Sequence, residues 1–468
     1  MTDPRSRIPS IDALLATPAA ETLVEDLGRA QVADALRNAV EQMRTAIGRG
    51  DDETTSSVEE SDWYIRQAAA LLVAAGRPSL RRVINATGVV LHTNLGRAPL
   101  AEEALEAMRS TAIYSNLEFD LDEGVRGSRY VHCVQLLRDL TGAEDALVVN
   151  NAAGALVLSM STVGLGRGVA ASRGELVEIG GGFRIPDVIE RSGASLVEVG
   201  STNRTRPADY EAVVSSSEAA AILKVHRSNF RITGFTEEAS VADLVKIGTQ
   251  YDVPVVHDLG SGLMLPAEDL RLPQEPTAAE SIAAGADAVV VSGDKLMGGP
   301  QAGVIVGKAA LIGLMRRNPL CRALRVDKVT LAGLEATLRL YANPGRVRER
   351  IPTLRMLSLE SEALRAVAEE VAGMLTDQGV PCAVVPTKGA VGGGTYPGVE
   401  LDSWAVELDG PNGTQALANT LRHGSPPVVG RIVDDRLRLD VRTLLPGEHQ
   451  LVVACVVGAL AADGMHSV

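Results

Sequence analysis

Lys295 ends the stretch VVVSGDK, three residues after Ser292 and next to Asp294, and Gly293, Gly298 and Gly299 surround it in VVVSGDKLMGGPQAG. A lysine at the end of an apolar run is commonly a snorkelling surface residue, its stem on apolar surface and its ammonium in water. The glycines also suit a chemical reading, because they let a backbone or ligand come close to an amine that can attack a carbonyl carbon. Upstream, VPVVHDLGSG carries Asp258 to the end of another apolar run, and VVNNAAGALVL sets Asn150, Asn151, Ala152, Ala153 and Gly154 between an apolar run and a helical pattern. Small residues opening a helix can present backbone N–H groups to a phosphate. Taken singly, the last stretch is equally a tight turn with an Asn cap, and Asp258 equally a helix cap or loop ion pair.

Taken together, in chain order, these are an anion cup, a carboxylate able to keep a pyridine nitrogen protonated, and a lysine able to form a Schiff base. That is the layout of a pyridoxal-phosphate site. Ser292 is then a further phosphate ligand, and Gly298 with Gly299 would leave room for an anionic reactant. His226 and Asn229, just past AAILKV, would stack on or hydrogen-bond the cofactor ring, although a capped turn fits them as well. The S-x-x-K spacing also occurs in serine hydrolases of the β-lactamase type, but their K-T-G is absent here. Arg97 in HTNLGRAPL and Arg322 and Arg325 in NPLCRALRVDK have the planar fork that binds anions. Arg316, Arg317, Arg322 and Arg325 would equally make a solvated helix face. Arg442 in RLRLDVRTL sits where pyridoxal-phosphate enzymes of similar layout often bind a substrate carboxylate, a group that an esterified substrate would lack.

Elements must carry these groups to one place. The runs at 146–150, 168–172, 195–200, 220–225, 253–258 and 287–293 are short, continuously apolar and separated by helix-length segments, as buried parallel strands are. The predicted fold class is therefore α/β with a mostly parallel central sheet. Before it, Leu36, Val40, Met43 and Ile47 recur on one helical face, and the polar stretch from Gly48 to Asp62 reads as a linker or surface loop. After it, GVELDSWAVEL and RLRLDVRTLL alternate like strands. The expected division is a helical N-terminal module over residues 1–62, a large α/β domain over 80–340 and a smaller C-terminal α/β domain over 341–468.

The chain has 468 residues with a formal net charge of -14, which argues against nonspecific attraction to nucleic acid. Its four cysteines, Cys133, Cys321, Cys382 and Cys455, form no C-x-x-C pair, so a zinc site or disulfide framework is not expected and a reducing cytoplasm is. The N-terminus lacks an apolar signal core, and LVVACVVGALAA is too short to span a bilayer, so it is expected to be a buried helix.

INATGVVLHTNLGRAPL, NLEFDLDEGVRGSRY, VEIGGGFRIPDV, VHRSNFRITGFT, VVHDLGSG and SGDKLMGGPQAG together resemble the bacterial L-seryl-tRNA(Sec) selenium transferase (selenocysteine synthase) family over essentially the whole chain. The resemblance implies a fold-type-I pyridoxal-phosphate enzyme that turns seryl-tRNA(Sec) into selenocysteinyl-tRNA(Sec) through an aminoacrylyl-tRNA intermediate, with selenophosphate as selenium donor. It implies that Lys295 holds the cofactor with Asp294 beside it, and that Arg97, Arg322 and Arg325 bind the selenophosphate-like anion. It further implies a cytoplasmic homodecamer, a ring of dimers, whose N-terminal modules grip the tRNA. A β-eliminating lyase or ammonia-lyase acting on a free small substrate is the alternative within the same chemistry; such relatives typically lack the helical module.

Overall fold

In the computed structural model, which describes residues 3–465, the apolar runs form one seven-stranded sheet. Its strands are β1 (Asp145–Val149), β2 (Gly168–Ser172), β3 (Ser195–Val199), β4 (Ala221–Val225), β5 (Val255–Asp258), β6 (Ala288–Ser292) and β7 (Gly303–Gly307). They lie in the order β1-β7-β6-β5-β4-β2-β3. β7 runs antiparallel to both its neighbours, and the other neighbouring pairs are parallel. Every residue of β4, β6 and β7 is buried, which explains why their sequences are apolar throughout rather than alternating. Alternate side chains still go to opposite faces: Val289 and Val291 join one core, Ala288 and Val290 the other. The fold is the expected α/β class with a mostly parallel central sheet. β7, which the sequence reading missed, is the antiparallel return directly after the Lys295 loop.

A second, mostly antiparallel sheet lies in the later part of the chain and contains Cys382–Gly392, Glu400–Leu408, Arg431–Val433 and Arg436–Asp440. Its last member comes from far upstream, because Val89–Leu91 pairs in parallel with Cys382–Gly392. Likewise Ile84–Asn85 pairs with Val428–Val429. The stretch expected to be a buried helix lies in helix Glu448–Met465 and is buried on one face only: Val452 and Val456 join the same core as Ile84, Leu417 and Leu439, while Leu451, Ala454 and Gly458 are exposed. Among the described residues no helix is long and apolar enough to cross a membrane.

The chain separates into two compact units, one ending at Arg82 and one beginning at Val83. The first is helical: Ile11–Leu15, Pro18–Leu27, Arg29–Arg49, Asp52–Ser56 and Ser61–Gly76. Leu36, Val40 and Met43 are buried in its core with Leu14, Val32 and Tyr64, and Ile47 packs against it. The stretch read as a linker contains a helix. Gly50 closes Arg29–Arg49 in the left-handed conformation (φ 72°), and the Asp51 carboxylate then accepts the Thr54 N–H to start the next helix. The residues taken for breakers are caps.

Candidate active site

Strand register brings the singled-out residues to one edge of the sheet. Val225 pairs with Asp258, Asp258 with Val290, Ser292 with Gly303, and Gly303 with Val149. The ends of β4, β5, β6 and β1 therefore line up, with neighbouring strands about 4.8 Å apart. The loops after β5 and β6 are stitched together: Leu296 N–H donates to Ser261 C=O at 3.0 Å, and a side chain at Gly262 (φ 75°) would strike the Ser292 carbonyl.

Lys295 is buried. Its Nζ donates to the Gly394 carbonyl at 3.3 Å. Glycines clear the space around it: a Cβ at Gly394 would lie 2.9 Å from Nζ, and one at Gly260 3.9 Å away. Desolvation, then the Arg97 guanidinium, lowers the Lys295 pKa below the ordinary lysine value, while Asp258, Asp294 and Glu275 pull the other way. Asp258 remains partly exposed, yet desolvation pushes its carboxyl up to about 6 against the opposing effects of Lys295, His226 and the Gly260 N–H. A lysine short of protons and a carboxyl ready to hold one thus face the same space.

Asp294 is buried and accepts from Ser292 Oγ at 2.6 Å and from Arg97 Nη1 at 2.7 Å. It therefore holds Arg97, whose backbone lies in the left-handed region (φ 63°), near the lysine. The Ser292 hydroxyl donates to this carboxylate. Asn151 caps helix Ala152–Gly164 by accepting Gly154 N–H at 2.7 Å, and the first N–H groups of that helix, at Ala152 and Ala153, have no partner inside it. Asn150 Oδ1 is buried without a hydrogen-bond partner and lines a cavity of about 440 Å3 together with Asp294, Gln301 and Asp327.

The remaining arginines do not gather around Lys295. Arg325 forms a bridge with Val149 at the end of β1, and its guanidinium is 3.8 Å from Glu118. Arg322, on helix Pro319–Ala323, is exposed and has no ion pair or hydrogen bond among the described residues. His226 N–H donates to Asp258 C=O at 2.8 Å, and its ring is 3.5 Å from Glu275. Asn229 is exposed, its amide donating to Glu178 C=O at 2.7 Å. Arg442 is buried with its guanidinium on the backbone carbonyls of Met356, Leu359 and Asp402, so it staples the fold rather than awaiting a carboxylate. Gly298 (φ 73°) does not clear room for a reactant, since a side chain there would meet Ile351 at 2.2 Å. His257, buried on Ser281 Oγ at 3.0 Å, is pushed down to about 3 by burial and stays neutral.

Glu275, Gly394 and Tyr396 were missed in the sequence. Tyr396 N–H donates to Glu275 Oε1 at 3.3 Å. The three consecutive glycines that open GGGTYPG were a visible sign that something passes close to them. Asn150 Oδ1, His226 Nε2, Ser261 Oγ and Glu275 Oε2 are all buried without hydrogen-bond partners, and buried polar atoms in that state await a polar ligand. With Lys295 among glycines, a proton-holding Asp258 and a free helix N-terminus, the residues present fit pyridoxal phosphate. Among the described residues no group of three His, Cys, Asp or Glu could hold a metal ion.

The family model for L-seryl-tRNA selenium transferase matches residues 83–445, and that for the selenocysteine synthase N terminal matches residues 5–44. The chain belongs to the L-seryl-tRNA selenium transferase family. An L-seryl-tRNA(Sec) selenium transferase of Solidesulfovibrio magneticus is 48% identical over 459 residues, 97% of each chain. One of Moorella thermoacetica is 47% identical over 462 residues, covering 97% of this chain and 96% of the relative. Among solved structures, D-glucosaminate-6-phosphate ammonia-lyase superposes with a TM-score of 0.58 at 21% identity, covering 84% of this chain and 99% of that one. That likeness extends to the fold.

Proposed function

We propose that this protein converts L-seryl-tRNA(Sec) to L-selenocysteinyl-tRNA(Sec) with pyridoxal phosphate as cofactor and selenophosphate as selenium donor. Family membership over nearly the whole chain supports the reaction. The observation that carries the chemistry is Lys295, buried among glycines with its proton affinity lowered, beside a carboxyl whose proton affinity is raised. Lys295 would hold the cofactor, Asp258 would face its ring nitrogen, and Ala152, Ala153 and Gly154 would take its phosphate, with Asn151 capping their helix and Ser292 alongside. Bound there, the cofactor supplies an electron sink for charge left at the seryl α-carbon.

The protein's own part is proton and charge handling. Lys295 Nζ, favoured as the neutral amine, would take the α-proton. Asp294 would keep Arg97 aimed near that amine. Arg97 and Arg325, with Arg322 free to swing inward, would neutralise the selenophosphate. The helical unit up to Arg82 would bind the body of the tRNA, and the chain would assemble as a homodecamer in the reducing cytoplasm that suits its four free thiols.

A lyase acting on a free small substrate has the fold neighbour alone in its favour, and a fold shared at 21% identity carries no substrate. The test is to incubate the cofactor-loaded protein with seryl-tRNA(Sec) and selenophosphate, then identify the amino acid released from the tRNA. Selenocysteine is expected. Unchanged seryl-tRNA, with pyruvate formed from free serine, would give the lyase reading the place. Lys295→Ala should lose both the visible absorbance of the lysine-bound cofactor and turnover.

A further inference from the structure

One cavity, which neither Lys295 nor Asp258 lines, has no part in the chemistry above. Its volume is about 560 Å3, within the range of small-ligand sites. Lys224, His226, Arg227, Arg231, Glu238 and Glu275 line it, with apolar residues between them. His226 and Glu275 join it to the lysine site: His226 N–H donates to Asp258 C=O at 2.8 Å, and Glu275 accepts from Tyr396 N–H, two residues beyond the Gly394 carbonyl that Lys295 Nζ reaches.

Glu275 is 7% exposed, and one carboxylate oxygen is taken up by Tyr396 N–H. The other, Oε2, has no hydrogen-bond partner, and neither has His226 Nε2, which lies 3.5 Å from it. A buried carboxylate oxygen left without a donor carries an unrepaid desolvation penalty, so the missing ligand atom is an O–H or N–H donor. Most of the basic groups along the walls are already committed. Lys224 is paired with Glu175 at 2.5 Å and Glu238 at 3.5 Å, and Arg227 with Glu238 at 2.9 Å. Arg231 is the exception: it is exposed and, among the described residues, has neither ion pair nor hydrogen bond. The cavity thus offers an acceptor at depth, bonded to the loop that also meets the reacting amine, and an uncommitted guanidinium, the fork that suits a phosphate, at its mouth.

A molecule with hydroxyl donors next to its reacting ester and a phosphate a few bonds further out matches that order. We propose that this cavity receives the aminoacylated 3′-terminal nucleotide of the tRNA, with its ribose hydroxyl donating to Glu275 and its phosphate on Arg231. The assignment rests on the functional reading above, since it requires an aminoacyl-tRNA as substrate.

Calorimetric titration of the cofactor-loaded full chain tests it with three ligands: 3′-serylamido-3′-deoxyadenosine 5′-monophosphate, the same compound with a 5′-hydroxyl, and serinamide. Wild type should bind the monophosphate roughly tenfold more tightly than the 5′-hydroxyl form, and Arg231→Ala should erase that difference. Glu275→Met, similar in length but with no carboxylate and only a weakly accepting sulfur, should weaken both nucleoside ligands by about tenfold and leave serinamide unchanged. Equal affinity of wild type for all three, or a phosphate preference that survives Arg231→Ala, overturns the subsite. So does an equal loss of serinamide binding in Glu275→Met, because the carboxylate would then act on the lysine and not on the ribose. Turnover of seryl-tRNA(Sec) by the same wild-type preparation is measured alongside. Its absence sinks the functional reading, whereas turnover without a nucleotide preference sinks only the subsite.

Discussion

Arg97 influences Lys295 in two ways, and they reinforce one another. Its positive charge disfavours the ammonium directly, and its ion pair with Asp294 offsets part of the opposing pull of that carboxylate. Arg97→Met removes both effects, so Lys295 should hold its proton to higher pH. In the cofactor-free protein, the pH at which Lys295 becomes reactive toward an acylating reagent, followed at peptide level by mass spectrometry, should rise. An unchanged midpoint would show that burial alone sets this amine. Asp258 shows the matching effect on a carboxyl. Folded, it holds its proton up to about pH 6, against 3.8 as an ordinary aspartate, so the folded chain binds more protons in that window and loses stability as pH rises through it. The loss is absent below about pH 4 and complete above pH 6, on the order of 3 kcal/mol from two pKa units. Cofactor-free Asp258→Asn should therefore melt several degrees higher than wild type at pH 8, with the two converging near pH 4. Equal melting at pH 8 would remove the strained carboxylate from the account. The same substitution should weaken cofactor binding, as is usual where a site holds a group that folding alone would not choose.

At the scale of elements, what was legible in the sequence follows from the range of each interaction. Six of the seven central strands are visible, five of them because each carries an apolar run buried almost throughout, while β3 at the sheet edge, with Ser195 and Glu198 exposed, is visible by its place in the series. β7 is hard to see because GVIVG is short, bounded by glycine and placed directly after the lysine loop. Asp258, Ser292 and Lys295 are legible as strand-end residues, since sheet topology alone brings such residues to a common edge. Glu275 and Tyr396 are not, because their contact spans 121 residues and neither lies in a periodic pattern. The same holds for Val89–Leu91, whose partner strand lies in the second sheet. Asn229 and Arg442 show the converse, side chains of suitable chemistry that the fold commits to backbone carbonyls. The glycine loop that reaches Lys295 gives the sharpest test at this scale. Gly394 has φ 76°, and a Cβ there would be 2.9 Å from the lysine Nζ. Gly394→Ala should cost only about 1–2 kcal/mol of stability from the left-handed backbone. Turnover should fall on the order of a hundredfold, because the amine is displaced by a fraction of an ångström to an ångström. A variant that turns over normally would mean the loop yields easily and does not position the lysine.

For the whole molecule, the net charge of -14 makes tRNA an unfavourable partner at long range, so binding has to come from local fit. The helical unit follows the same pattern, with ten arginines and no lysine against thirteen acidic residues up to Arg82. The two units have independent cores: the helical one draws on residues from Ile8 to Leu72, and no core of the other includes a residue before Ile84. A chain starting at Val83 should therefore fold, bind pyridoxal phosphate with the same visible absorbance, and process the seryl-nucleotide end. If the helical unit holds the body of the tRNA while the cavity lined by Glu275 and Arg231 holds its end, the two contacts act as a bivalent pair. Losing one should lower the affinity for intact seryl-tRNA(Sec) on the order of a hundredfold without changing that for the serylamido-nucleotide. Filter binding of both ligands to the full and shortened chains reads this directly. Undiminished affinity for the intact tRNA would move its recognition onto the catalytic unit. A parallel loss for the small ligand would mean instead that the helical unit shapes the cavity itself.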